Sequence, residues 1–239
     1  VSLTNYLYEL GNSLVHLFFP PACASCNKPL LYEEDSVCLH CLLSLPYTNF
    51  HQYDDNALAR QFWGLDKIEA AAACFYFNKN SKVQNLLHQV KYQRNKNAAV
   101  FLGRMYGNQL KTSSFSTCDF IIPIPLHPVK LKKRGYNQSE LFAAGLAETM
   151  GIPLLNNVLI RVKQGESQTF KSRKDRFNML KGVFEITYIP ACKSGIIPHL
   201  LLVDDVITSG ATLETCANLF LSKNFNVSLL SIAYAKSEL

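Results

Sequence analysis

Residues 201–214 read LLVDDVITSGATLE. An unbroken apolar run ends at two adjacent acids, Asp204 and Asp205. A Thr/Ser/Gly turn follows, and then apolar residues at helical spacing (ATLETCANLFLSK). A short run that is apolar on both sides fits a central strand of a parallel sheet covered on both faces. In open α/β sheets, ligands bind beyond the carboxyl ends of the strands, which is where the two acids fall. Gly210 permits a tight backbone turn. The N–H groups near residues 209–212 then point outward at a helix start. The hydroxyls of Thr208, Ser209 and Thr212 join them, with Ala211 between, and the helix dipole adds to the attraction. This is a cradle for a single phosphate. It is not the GxxxxGK[ST] loop, nor GxGxxG.

Carboxylates repel phosphate. They belong beside a phosphate cradle where vicinal hydroxyls can donate to them or a magnesium ion can bridge. A sugar phosphate meets both conditions, with its phosphate on the turn and its diol on Asp204 and Asp205.

Outward from this stretch the chain alternates strand and helix. IEAAAACFYF, CDFIIPIP, IPLL, VFEI, HLLLVDD and NVSLLSIAYA read as strands. KVQNLLHQVKY, NAAVFLGRMYGNQL, SELFAAGLAETMG and the segment after the turn read as helices. The pattern predicts an α/β fold with a central, mostly parallel sheet. Residues 1–50 are expected to form an N-terminal helix, over residues 3–19, and a metal module. Residues 51–66 are expected to be a connector, and residues 67–239 the main domain. Residues 156–182 are long and polar for a routine connection and are expected to form a flexible basic loop over the site.

The chain has 239 residues and a net charge of +6. Residues 127–181 carry 11 Lys/Arg against 4 acids, so this stretch is +7 and the remainder −1. A localised positive field suits phosphates, pyrophosphate or nucleic acid. No apolar run reaches the roughly 18 residues of a membrane span. No basic stretch or cleavage site marks a signal peptide, so a cytoplasmic protein is expected.

Eight cysteines are present, and four form two C-x2-C pairs: Cys23, Cys26, Cys38 and Cys41. Each pair presents two thiolates from one turn, at the spacing of a tetrahedral structural zinc (Zn2+) site. Two disulfides would need an oxidising compartment. Cys74, Cys118, Cys192 and Cys216 are scattered without a pairing pattern and read as buried small hydrophobes.

LLVDDVITSGAT resembles the phosphoribosyl pyrophosphate signature of the type I phosphoribosyltransferases. That resemblance implies a phosphoribosyltransferase-like fold, with Asp204 and Asp205 on the ribose hydroxyls. It puts Thr208, Ser209, Gly210, Ala211 and Thr212 on the 5′-phosphate and magnesium (Mg2+) with the ligand. The four-cysteine module, IPIPLHPVKLKKRGYNQSELFA and RVKQGESQTFKSRKDRFNMLKGVF together resemble the ComF family of competence and DNA-utilisation proteins. The likeness implies a pyrophosphate loop at Arg134, Gly135, Tyr136, Asn137 and Gln138. It implies a flexible loop carrying Arg161, Lys163, Gln168, Arg173 and Arg176. The partners it implies are phosphoribosyl pyrophosphate, single-stranded DNA and DNA-processing proteins. Three activities stay open at this stage: a ligand-binding protein of DNA uptake or use, a phosphoribosyltransferase of nucleotide metabolism, and a non-catalytic regulator gated by phosphoribosyl pyrophosphate.

Overall fold

The computed structural model describes residues 20–65, 67–92, 95–162, 182–188 and 197–236. The helix expected over residues 3–19, and Lys163, Gln168, Arg173, Arg176 and Cys192, lie outside the described residues.

The centre is a four-stranded parallel sheet. Its strands are β1 (Ile68–Tyr76), β2 (Phe120–Pro123), β5 (His199–Ile207) and β6 (Asn226–Tyr234). The order across the sheet is β1-β6-β5-β2, with every pair parallel. β5 is therefore central, as its two-sided apolar run requires. Leu200, Leu201, Leu202 and Val203 are fully buried, and so are most residues of β6. A separate two-stranded antiparallel ribbon joins β3 (Leu159–Arg161) to β4 (Phe184–Ile186). The VFEI strand thus pairs outside the main sheet. IPLL makes a single parallel bridge, Ile121 with Leu154, on the outer edge of β2.

The other edge of the sheet is covered as well. Thr48 N–H donates to Cys74 O (3.1 Å), and Tyr76 N–H donates to Pro46 O (2.8 Å), so residues 46–48 pair along β1. Covering both edges removes the unpaired backbone rows that invite association.

Helices α2 (Lys82–Tyr92) and α3 (Lys96–Leu110) connect β1 to β2. Helices α4 (Pro128–Arg134) and α5 (Gln138–Met150) follow β2, and α6 (Ala211–Leu221) joins β5 to β6. The caps follow local chemistry. Pro128 sits at the start of α4, where its missing N–H has no helical partner to lose, and Gly135 ends α4 at φ 82°. Asn137 caps α5 by accepting from Ser139 N–H. Helices α3 and α5 approach until their backbones touch: a Cβ on Gly145 would collide with Val100 O and come within 2.9 Å of Gly103 Cα. That contact fixes the position of α5, and therefore of its N-terminus over the end of the sheet.

The cysteine-rich segment packs on the same core. Short helix α1 (Leu39–Ser44) contributes Cys41, and Leu45 follows it; both are buried in one apolar cluster with the sheet. Ser25 Oγ donates to Lys82 O (3.3 Å), Asn85 Nδ2 to Ser25 O (3.3 Å) and Lys82 Nζ to Ser44 Oγ (2.7 Å). The segment is thereby docked on the first turn of α2. Residues 50–62 form two 3-10 turns whose Phe50, Leu58 and Phe62 are buried in that cluster. No described helix is long and apolar enough to cross a membrane.

Candidate functional site

The carboxyl end of β5 places Asp204 at the rim of a small cavity of about 30 Å³. The cavity is lined further by residues 206–213, including Thr208, Ser209, Gly210, Ala211 and Thr212. The six residues read as phosphate-turn and first acid are thus brought together. Gly210 stands at φ 76°, and no side chain caps α6. The first residues of that helix line the cavity with no side-chain cap among the described residues, an arrangement suited to an anion. Phe62 packs against the turn from outside: a Cβ on Gly210 would come within 2.8 Å of the Phe62 ring.

The two acids have different surroundings, because successive strand residues project to opposite faces. Asp204 Oδ1 accepts from Ser139 Oγ (3.2 Å) at the start of α5 and from the Asp205 N–H (2.8 Å). Burial, and then the neighbouring Asp205 charge, push the Asp204 carboxyl up to about 7. The Asp205 N–H, Lys91 and Ser139 offset part of that rise. Asp205 Oδ2 instead meets Lys91 Nζ at 2.8 Å, on the last turn of α2.

The segment expected as a pyrophosphate loop divides in two. Tyr136, Asn137 and Gln138 are buried. Tyr136 Oη donates to Val90 O (2.5 Å), Asn137 Nδ2 donates to Ile124 O (2.9 Å), and Gln138 accepts from Arg134 Nη1. Those three hold α5 and α2 in place. Arg134 lies over the Tyr92 ring, 5.2 Å from its centroid. With Lys91, Tyr92, Lys130 and Lys133 it lines a second cavity, of about 390 Å³.

Arg161 is the one expected flexible-loop residue that is described. It lies over Phe184, 5.3 Å from the ring centroid. Burial lowers its pKa, the field of Asp204 opposes that shift, and its Nε has no partner among the described residues.

At the other pole of α2, the sulfur atoms of Cys23, Cys26, Cys38 and Cys41 all lie within 4.8 Å of one another. A tetrahedral site with metal–sulfur bonds of about 2.3 Å needs sulfur atoms about 3.8 Å apart. Cys26 Sγ and Cys38 Sγ are 3.8 Å apart. The backbone N–H groups of Cys38 (3.3 Å) and Ser25 (3.4 Å) point at Cys23 Sγ, as they would at a thiolate. The donor set fits a metal ion. Cys74, Cys118 and Cys216 are buried free thiols.

Sequence reading missed Lys91, Tyr92 and Ser139. Lys91 and Tyr92 end an ordinary amphipathic helix, and nothing in the local pattern marks them. Ser139 lies one residue beyond the expected pyrophosphate loop, and the Asn137 cap beside it is the signal that could have flagged it.

The described residues therefore define a parallel α/β protein with a four-cysteine metal-type cluster and a Gly/Thr/Ser turn beside a strand-end acid pair. No family model matches the chain. Competence protein F of Haemophilus influenzae is 30% identical over 209 residues, 86% of each chain. The DNA utilization protein YhgH of Salmonella typhi is 31% identical over 140 residues, 57% of this chain and 60% of its own. Among solved structures, an adenine phosphoribosyltransferase aligns with 62% of this chain and 75% of its own at 15% identity and TM-score 0.36. A Staphylococcus aureus hypoxanthine phosphoribosyltransferase aligns with 67% and 84% at 14% identity and TM-score 0.35. The chain belongs to the competence protein F (ComF) family.

Proposed function

We propose that this protein binds phosphoribosyl pyrophosphate with Mg2+ and acts in the uptake or use of single-stranded DNA. The observation that carries the binding half is the cavity shared by Asp204 and residues 208–212, at an uncapped helix start. The 5′-phosphate accepts from the turn, and the ribose hydroxyls donate to the acids. Asp204 and Asp205 would hold Mg2+ together with the ligand, where it would offset the ligand's negative charge, and Arg161 adds positive charge from the β3 ribbon. The names of the relatives, competence protein F and DNA utilization protein, support the DNA half. So does the concentration of positive charge between residues 127 and 181. The four cysteines hold Zn2+ in a structural role, stabilising a segment with little regular structure of its own.

Release of pyrophosphate from phosphoribosyl pyrophosphate, measured with and without single-stranded DNA, tests this reading. DNA-dependent release makes the protein a transferase acting in DNA use. Mg2+-dependent binding without release makes it a regulator gated by the same ligand. Absence of both binding and release refutes the reading.

A further inference from the structure

The connector at residues 51–65 carries the chain's single tryptophan on an anchored turn. Asn56 is buried and fixes the start of that turn. Its Nδ2 donates to Ala71 O of β1 (3.0 Å), and its Oδ1 accepts from the N–H groups of Leu58 (3.0 Å) and Ala59 (2.9 Å). Leu58 and Phe62 are fully buried, and Gln61 Nε2 donates to Tyr234 Oη at the end of β6 (2.8 Å). Phe62 also meets the turn at Gly210. Trp63, the next residue, is 69% exposed. Arg60 lies over its ring, 5.6 Å from the centroid. One face is covered and most of the side chain is still exposed, so the other face is open. Gly64 beside it has nothing within 4 Å of its Cβ position. Arg60 is in turn held by Asp55 through two bonds, Nε to Oδ1 (2.7 Å) and Nη2 to Oδ2 (2.8 Å). Its charge is already paired, and it serves as a flat support for the ring rather than as a phosphate ligand.

We propose that the open face of Trp63 stacks an unpaired nucleobase of single-stranded DNA. Every base has a π-face, so an aromatic platform of this kind holds a strand without reading its sequence. The surroundings suit a flat neutral ring better than a phosphate: Asp55 neutralises the one cation at the platform, and Asp54 adjoins it in the chain. They also suit a base better than a protein. Among the described residues Trp63 is the only large exposed apolar side chain between Tyr53 and Tyr92, whereas a protein interface is built on a contiguous apolar core. The buried anchors serve the same role. A platform already held by Asn56, Leu58, Gln61 and Phe62 loses little freedom when a base lands on it. Phe62 fixes the platform against Gly210, so a base on Trp63 is held beside the Thr/Ser/Gly turn. Trp63 is then a binding residue that contributes through stacking alone, and the charge of the strand is met elsewhere. The inference rests on the DNA half of the proposed function.

Trp63 supplies its own probe, because no other tryptophan contributes to the emission of the chain. The full chain is titrated with oligothymidylate while that emission is followed. Affinity is read in parallel from the anisotropy of a labelled oligothymidylate, for the unmodified protein, Trp63→Ala and Trp63→Phe. Oligothymidylate is expected to quench the emission saturably. Trp63→Ala is expected to bind about tenfold more weakly, and Trp63→Phe within about threefold of the unmodified protein. The slope of affinity against salt concentration should be the same in all three, because no phosphate contact is lost. Strand binding without quenching, or equal affinity in Trp63→Ala, overturns the inference and leaves the DNA reading standing. Equal affinity for thymidine 5′-monophosphate makes the occupant a free nucleotide and overturns it as well. Emission that changes with protein concentration alone, with a dimer in sedimentation that Trp63→Ala abolishes, identifies a contact between copies and overturns it too. Absence of any oligothymidylate binding refutes the DNA reading and the inference together.

Discussion

Ser139 Oγ donates to Asp204 Oδ1 at 3.2 Å and so ties the first turn of α5 to the carboxyl end of β5. The two residues are 65 positions apart in the chain. One belongs to the turn that follows RGYNQ and the other to the acid pair. Through this contact the helix that packs against α3 also sets the orientation of the acid at the candidate site.

Burial of the Asp204 carboxylate costs the fold stability above neutral pH. Burial and the Asp205 charge push its carboxyl up to about 7 in the folded chain, against an ordinary value of 3.8. Between those values the folded state holds the proton that the unfolded state has lost. Stability contributed by this group therefore falls as pH rises from about 4 to 7, and the full deficit is present above 7. Asp204→Asn is expected to melt higher than the unmodified protein at pH 8. The gain is on the order of 1 kcal/mol, about 2–4 °C in a chain of this size. At pH 4 the difference should vanish. Melting curves across this pH range check it. An Asn variant that melts lower at pH 8 contradicts the assignment.

The contact between α3 and α5 leaves no room for a methyl group. Gly145→Ala is expected to destabilise the protein by about 1–3 kcal/mol, since overpacking a backbone contact moves both helices. Gly64→Ala is the control, because nothing lies within 4 Å of its Cβ position. Denaturant unfolding should separate the two variants clearly.

Gly210 carries two constraints that can be pulled apart. A side chain there meets a backbone at φ 76° and the ring of Phe62 at 2.8 Å. Gly210→Ala is expected to lower both stability and ribose 5-phosphate affinity. Adding Phe62→Ala removes the clash and leaves the strained φ, so the double variant should recover neither property fully. Complete recovery would make the ring contact the sole constraint.

Metal removal is expected to reach the candidate site through α2. The first turn of this helix is bonded to the cysteine segment at Ser25 and Ser44, and its last turn holds Lys91 against Asp205. Elemental analysis should find about one zinc per chain. A strong chelator should lower the melting temperature and weaken phosphoribosyl pyrophosphate binding together. Binding that is unchanged after complete metal loss would separate the two sites.

The parallel sheet was legible because its strands are short apolar runs punctuated by turn residues, and β5 carries that pattern most plainly. The cysteine cluster was legible because ligand spacing is a local property. VFEI was legible as a strand, but its pairing with β3 outside the main sheet was not, since pairing is decided by tertiary packing. The Lys91–Asp205 pair and the basic cavity were hidden for the same reason. They join the end of a helix to a strand 114 residues away, and neither Lys91 nor Tyr92 departs from an amphipathic pattern. The aromatic Phe62 read as part of a polar connector, although the structure buries it beside the Thr/Ser/Gly turn at Gly210.

The most direct test is calorimetric titration of phosphoribosyl pyrophosphate into the full chain at pH 8, with and without Mg2+, and into Asp204→Asn. Saturable binding that requires Mg2+ and weakens about tenfold or more in Asp204→Asn is the predicted result. Absence of binding to the unmodified protein, or equal affinity in the variant, would contradict the account.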